Sequence, residues 1–178
     1  TRENDIPEYL LKDLKNDSIF HVYANGEMNY SIRGIHSRVT VKWDFKAPEG
    51  TGDTHYSIMK GSISNLVIRQ GVEQKFKPAL YIEPLSGVSL QSFEQALRKG
   101  ITDIQKNYPG IDIKKFENGW EVIVPSSYDV GHEAHFAQVT EKYLQYLVEG
   151  KLPDWEVPNM ITKYYITTKA LEMAMTGN

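Results

Sequence analysis

The 178-residue sequence contains no cysteine. That excludes a disulfide framework, thiolate zinc ligation and a cysteine nucleophile, and it leaves the compartment unspecified. No run of about 18 apolar residues occurs, so no stretch reads as a bilayer-spanning helix and no membrane partner is expected. The opening TRENDIPEYL is polar and holds neither an apolar signal core nor an initiator methionine. The expectation from that start is a chain cut from a longer protein. Charge of one sign is also scarce, with 20 Lys+Arg against 23 Asp+Glu and a formal net charge of −3. Without a basic cluster the chain lacks the electrostatic footprint of a nucleic-acid binder.

Several chemical signatures are missing as well. The stretch Gly50-x-Gly52-x-x-His55 stops short of the dinucleotide fingerprint. His55 stands at the third glycine, and the residues that follow alternate as a strand, whereas a pyrophosphate needs a helix N-terminus. There is no nucleophile elbow, P-loop or kinase signature.

What is present is ordinary for one globular domain over residues 1–178, with 40% apolar and 24% charged residues. The spacing predicts a short helix over Ile6–Lys15, ended by Asn16-Asp17-Ser18, and a strand over Ile19–Tyr23. Asn25-Gly26 reads as a hairpin turn leading to a return strand, Glu27–Arg33. After Gly34, Ile35–Ala47 alternates, with Val39, Val41, Trp43 and Phe45 on one side. The chain is organised around the next hairpin, Asp53–Met59 and Ser62–Gln70. It is expected mid-sheet, with Gly61 supplying a positive φ at the reversal. Ala79–Glu83 adds a strand closed by Pro84.

Helical spacing begins at Ser89 and brings Phe93, Ala96, Leu97, Ile101 and Ile104 together. Ile111–Phe116 and Trp120–Val124 form a second hairpin around Asn118-Gly119. A helix over His132–Glu149 carries Phe136, Val139, Tyr143 and Leu147, with Gly150 at its end. A last helix opens near Pro158, ends at Gly177, and turns Met160, Ile161, Tyr164, Leu171 and Met175 inward. Short connections mean antiparallel neighbours. The fold class is therefore α+β, an open, mostly antiparallel β-sheet with helices packed on one face. The free face is expected to meet another domain or a second subunit.

The richest chemical cluster is YDVGHEAHF. His132 and His135 share a helical face and Asp129 precedes the helix, a set that fits a capping and packing role, a ligand-facing polar group or a metal site. His-x-x-His without the zincin glutamate is a weak metal signal, so no metal is assigned. His21, His36 and His55 read as sheet-face residues. Asp53, His55 and Glu83 near strand ends could form an acid–base set, although no spacing requires it. The 11 Tyr, 3 Trp and 6 Phe suit a sugar site, a core or an interface equally.

The run WDFKAPEGTGDTHYSIMKGSISNLVIRQG with KPALYIEP, and the ending GHEAHFAQVTEKYLQYLVEGKLPDW…ITKYYITTKALEMA, resemble the C-terminal domain of bacterial oxidoreductases similar to the glucose–fructose oxidoreductase and inositol dehydrogenase (Gfo/Idh/MocA) superfamily. The resemblance spans about Phe20 to Met175. It implies an NAD(P)-dependent enzyme acting on a sugar or polyol. In that family an N-terminal Rossmann domain, absent from this chain, binds NAD(P), and this domain supplies the substrate side and a homo-oligomer interface through the sheet face. The family's glycine fingerprint, its Glu-Lys-Pro lysine and its His-x-x-Asp-type motif belong upstream. No catalytic or cofactor-binding residue is therefore carried over, and Asp129, His132 and His135 are the substrate-binding candidates. The competing expectation is a free-standing carbohydrate-binding or assembly module without catalytic activity.

Overall fold

The computed structural model describes residues 6–15, 19–20, 23–43 and 49–177. In chain order the elements are α1 (Glu8–Leu11), β1 (Leu14–Lys15), β2 (Ile19–Phe20), β3 (Gly26–Ile32), β4 (Ile35–Val41), β5 (His55–Lys60), β6 (Ser64–Gln70) and β7 (Ala79–Pro84). There follow α2 (Leu90–Ile104), β8 (Asp112–Phe116), β9 (Gly119–Ile123), a 3-10 turn (Ser126–Tyr128), α3 (His132–Glu149) and α4 (Glu156–Thr176). Every strand pairing is antiparallel, so the architecture is α+β. The chain divides into two compact units, Thr1–Phe45 with Tyr146–Asn178, and Lys46–Gln145. Expectations for His21, Phe45, the Asn16-Asp17-Ser18 stop and the far end of the Ile35–Ala47 strand fall outside the described residues.

In the first unit β3 and β4 form a two-stranded sheet. The reversal lies at Arg33-Gly34, with φ of 50° and 81°, and not at Asn25-Gly26. Positive φ at both central residues gives the turn whose twist matches a two-residue hairpin, and Ile32 pairs with Ile35 directly across it. Asn25 has a different task. Its side-chain carbonyl accepts a hydrogen bond from the Trp43 backbone N–H at the open end of the hairpin. The expected helix Ile6–Lys15 shrinks to one turn because Leu14–Lys15 pairs with Ile19–Phe20. Val41 and Trp43, expected to be half-buried, are exposed. A hollow of about 360 Å³ between β3 and α4 is lined by Met28, Tyr30, Tyr165 and Met173.

Glu27 draws three donors, Arg38 at 2.7 Å, Asn29 at 3.1 Å and Thr40 at 3.1 Å. The hydrogen bond from Arg38, then that from Asn29, holds its carboxyl below the usual carboxylate range. A depressed folded pKa adds stability above the unfolded value, which is lost as pH falls through the folded one. A carboxyl-carbon NMR titration should therefore place the Glu27 midpoint below that of glutamate in a short peptide. The midpoint should return toward the peptide value in Arg38→Gln.

The second unit is a five-stranded sheet in the order β5-β6-β7-β9-β8. The central hairpin therefore sits at one edge, not mid-sheet, because among the described residues β3 and β4 pair only with each other. Its loop is Gly61–Ile63, and Gly61 does not use a positive φ. Glycine is needed there because a Cβ would lie 2.6 Å from the Ser64 carbonyl oxygen. One sheet face is covered by α2. Phe93 and Ile101, two turns apart, join Ile82, Ile113 and Trp120 in the core, with Val88, Leu97, Ile111 and Val122 around it. The registers Ile82↔Trp120 and Ile113↔Val122 place these residues on that same face. Each fully buried large apolar side chain here contributes about 1.5–3 kcal/mol.

The apolar stripes of α3 and α4 behave differently from expectation. Neither helix has a buried residue, and Phe136, Val139, Tyr143 and Leu147 are exposed, as are Met160, Ile161, Tyr164, Leu171 and Met175. On α4 the half-buried positions are instead Glu156, Ile166 and Ala170. That helix is apolar on more than one side, so spacing alone did not single out its inward face.

Candidate functional site

The antiparallel order brings four chain segments to one end of the five-stranded sheet. These are the approach to β5, the β6–β7 loop, the end of β9 and the segment leading into α3. Gln70, the last residue of β6, donates from Nε2 to the Asp53 carbonyl at 3.0 Å. The loop that follows turns back on itself, with Gln74 and Phe76 both donating their N–H to the Gly71 carbonyl. Lys75 and Phe76 hold φ of 53° and 58°. Two successive left-handed residues other than glycine are strained and persist only where the surroundings fix them. Phe76 is fixed by the bare face of Gly52, which leaves just enough space for the Phe76 ring base. Gln74 donates to the Tyr81 hydroxyl at 3.2 Å.

This loop delivers Lys77 to Asp129, Nζ to Oδ2 at 3.9 Å, with both side chains more than 70% exposed. Asp129 lies at the end of the 3-10 turn and precedes α3. His132 opens the helix, and its ring stands 4.7 Å from that of Phe136. His135, also exposed, follows one turn on. The three sequence-nominated residues therefore lie within seven positions of chain and are exposed, and Asp129 stands beside a cation that spacing gave no reason to expect. Among the described residues no group of three or more His, Asp or Glu side chains is placed to hold a metal ion.

The other sequence-level grouping comes apart. His55 pairs with Gln70 at one end of β6, while Glu83 pairs with Asn65 at the other. That separation is roughly 16 Å at about 3.3 Å per residue. Glu83 instead meets Arg69 at 2.6 Å. His36 is an exposed sheet-face residue of β4. The stretch after Gly52 enters β5 and not a helix, so it offers no helix N-terminus to a dinucleotide pyrophosphate.

A family model described as the putative oxidoreductase C-terminal domain matches residues 1–175. The chain belongs to this family. It is also similar to a crystal structure of a putative oxidoreductase from Parabacteroides merdae, with 50% sequence identity and a TM-score of 0.87. The match covers 97% of this chain and 39% of that one, so this oxidoreductase C-terminal domain spans well under half of its relative's length. No curated protein matches the chain. In this oxidoreductase C-terminal domain Asp129, His132 and His135 are all exposed, and the Lys77–Asp129 pair joins a distant segment to them.

Proposed function

We propose that this chain is the substrate-side and oligomerisation domain of an NAD(P)-dependent oxidoreductase acting on a sugar or polyol. The observation that carries the reading is the family match over residues 1–175, joined to a relative of which this chain covers 39%. In this reading NAD(P) is held by an N-terminal Rossmann domain outside the chain, and the isolated chain is inert. The residues present do not fit the cofactor, since the glycine-containing stretch leads into a strand.

Asp129, His132 and His135 are the groups proposed to reach substrate. An exposed carboxylate accepts a hydroxyl hydrogen bond, and a neutral imidazole both donates and accepts one. The face of the sheet opposite α2 carries Tyr56, Ile58, Tyr81 and Phe116, with Tyr56 63% exposed. That aromatic face is the proposed homo-oligomer contact. Among the described residues no helix is long and apolar enough to cross a membrane.

The test uses the intact parent protein. His132→Ala/His135→Ala should lower kcat/KM for the sugar or polyol it oxidises by about 100-fold, roughly 2.7 kcal/mol of transition-state stabilisation. The NAD(P)H affinity should stay unchanged by fluorescence titration. Saturable NADH binding by the 178-residue chain alone would overturn the division of labour. An unaltered kcat/KM would remove the two histidines from the site.

A further inference from the structure

The hollow of about 360 Å³ beside β3 follows the free edge of that strand and does not lie over its face. Four successive residues, Glu27 to Tyr30, line it although their side chains alternate between faces. Among the described residues none from β4 reaches it. Its other wall is α4, where the small Ala170 and Ala174 stand one turn apart, flanked by Tyr165 and Met173.

The hairpin register decides which backbone groups face this edge. Ile32 and Ile35 flank a two-residue turn, so they exchange both N–H···O bonds. Alternation along the ladder makes Tyr30–Ser37 and Met28–Val39 bonded pairs as well. Glu27, Asn29 and Ser31 therefore send their N–H and C=O groups away from β4. Among the described residues no strand and no other backbone group meets them. They form a ladder that is open along one side.

Native sheets blunt such an edge with lysine, proline, a bulge or a short strand. The other free edges of the longer strands each carry a cation, Arg38 on β4, Lys60 on β5, and Lys114 and Lys115 on β8. Strand β3 is seven residues long, pairs one-to-one without a bulge, and holds no lysine, arginine or proline. Its single charge, Glu27, is drawn to Arg38, Asn29 and Thr40. The other charge lining the hollow, Lys169, is matched by Glu172 at 2.8 Å. An undefended edge beside a charge-matched, largely apolar wall suits an uncharged strand.

A second copy of the chain fits poorly. The two-fold axis that sets β3 antiparallel to its own copy carries both α4 helices to one face of the joined sheet, into the same hollow. The related oxidoreductase offers another source, since most of its chain lies outside the part matched here.

We propose that an extended, uncharged segment of the parent chain outside residues 1–178 adds to the free edge of β3 and packs its side chains against α4. The N–H and C=O groups of Asn29 and its neighbours two residues away bond that segment, and Ala170 and Ala174 leave room for its apolar side chains. The proposal rests on the reading of this chain as part of a longer oxidoreductase, and not on that enzyme's substrate.

The test is residue-resolved amide hydrogen exchange on the intact parent protein and on the 178-residue chain. The Asn29 and Ser31 amides should exchange at least about tenfold more slowly in the parent, while Met28 and Tyr30, bonded to β4 in both, change less. Ala174→Trp fills the hollow from the helix side. In the parent it should return Asn29 and Ser31 to the rates of the shorter chain and leave Met28 and Tyr30 protected. Equal exchange at Asn29 and Ser31 in the two proteins overturns the strand addition. Slowing that grows with concentration of the 178-residue chain assigns the edge to a second copy and overturns the occupant. Protection in the parent that Ala174→Trp does not move overturns the part given to α4. A parent that binds no NAD(P)H would remove the oxidoreductase reading and leave slow exchange at this edge as support for the added strand.

Discussion

Trp120→Ala should destabilise the second unit by about 4 kcal/mol, as large aromatic truncations in cores do. Trp120 sits between the sheet and α2, its ring 5.5 Å from that of Phe93 and its backbone paired with Ile82. Truncation empties the centre of the Ile82–Phe93–Ile101–Ile113 cluster, and those side chains come from three elements that cannot all collapse at once. Trp120→Phe keeps most of the apolar area and deletes the unpaired N–H, so its cost should be about 1.5 kcal/mol or less. Urea unfolding followed by far-UV circular dichroism measures both. Equal costs for the two variants would mean that the indole ring is not what fills this core.

Gly119→Ala should cost about 3 kcal/mol or more, although it adds a single methyl group to the strand. The cause is on the backbone. A Cβ at Gly119 would lie 2.2 Å from the Ile82 carbonyl oxygen, and its φ of 155° is a conformation L-residues rarely adopt. Neither atom of that clash belongs to a side chain that can swing away, so β7 and β9 must part. Gly100→Ala provides the opposite sign. Gly100 is exposed within α2 with open space where a Cβ would go, so the same change should stabilise by up to about 1 kcal/mol. Urea midpoints of the two variants moving in the same direction would contradict the described geometry.

Much of the second unit was legible because periodicity there agrees with burial. The α2 stripe of Phe93, Leu97 and Ile101 is the core-facing stripe, α3 begins at His132 and ends before Gly150, and Trp120 and Val122 share the face that α2 covers. Turns were less legible. Asn25-Gly26 carries the stronger dipeptide signal, yet Arg33-Gly34 makes the hairpin, because pairing Met28 with Val39 and Tyr30 with Ser37 fixes the register from the half-buried face. Asn118-Gly119 shifts by one residue for the same kind of reason. Phe116 pairs with Gly119, leaving Glu117-Asn118 as the loop.

The candidate site was legible only along the chain. Asp129, His132 and His135 are neighbours in sequence, but Lys77 reaches Asp129 through a strained loop that no local pattern announces. The Arg69–Glu83 pair was invisible for a similar reason. Its members lie on adjacent strands, and Arg69 reaches along the face, over the Tyr81 ring at 4.9 Å, to meet Glu83. Spacing reports periodicity within an element, whereas these contacts depend on register between elements.

The strand order β5-β6-β7-β9-β8 also sets a sequence of events in time. The β5–β6–β7 meander and the β8–β9 hairpin each close short loops, and such steps are fast. Joining them requires Leu80–Ile82 to find Trp120–Val122 across the whole of α2, the pairing with the largest loop-closure entropy in the sheet. Gly119 and Trp120 stand at that seam. Closing that seam carries the largest entropic cost of any pairing in the sheet. Stopped-flow refolding should therefore be slowed more by lengthening the Gly87–Val88 loop, which lies inside it, than by lengthening the Gly61–Ile63 turn, which lies outside it.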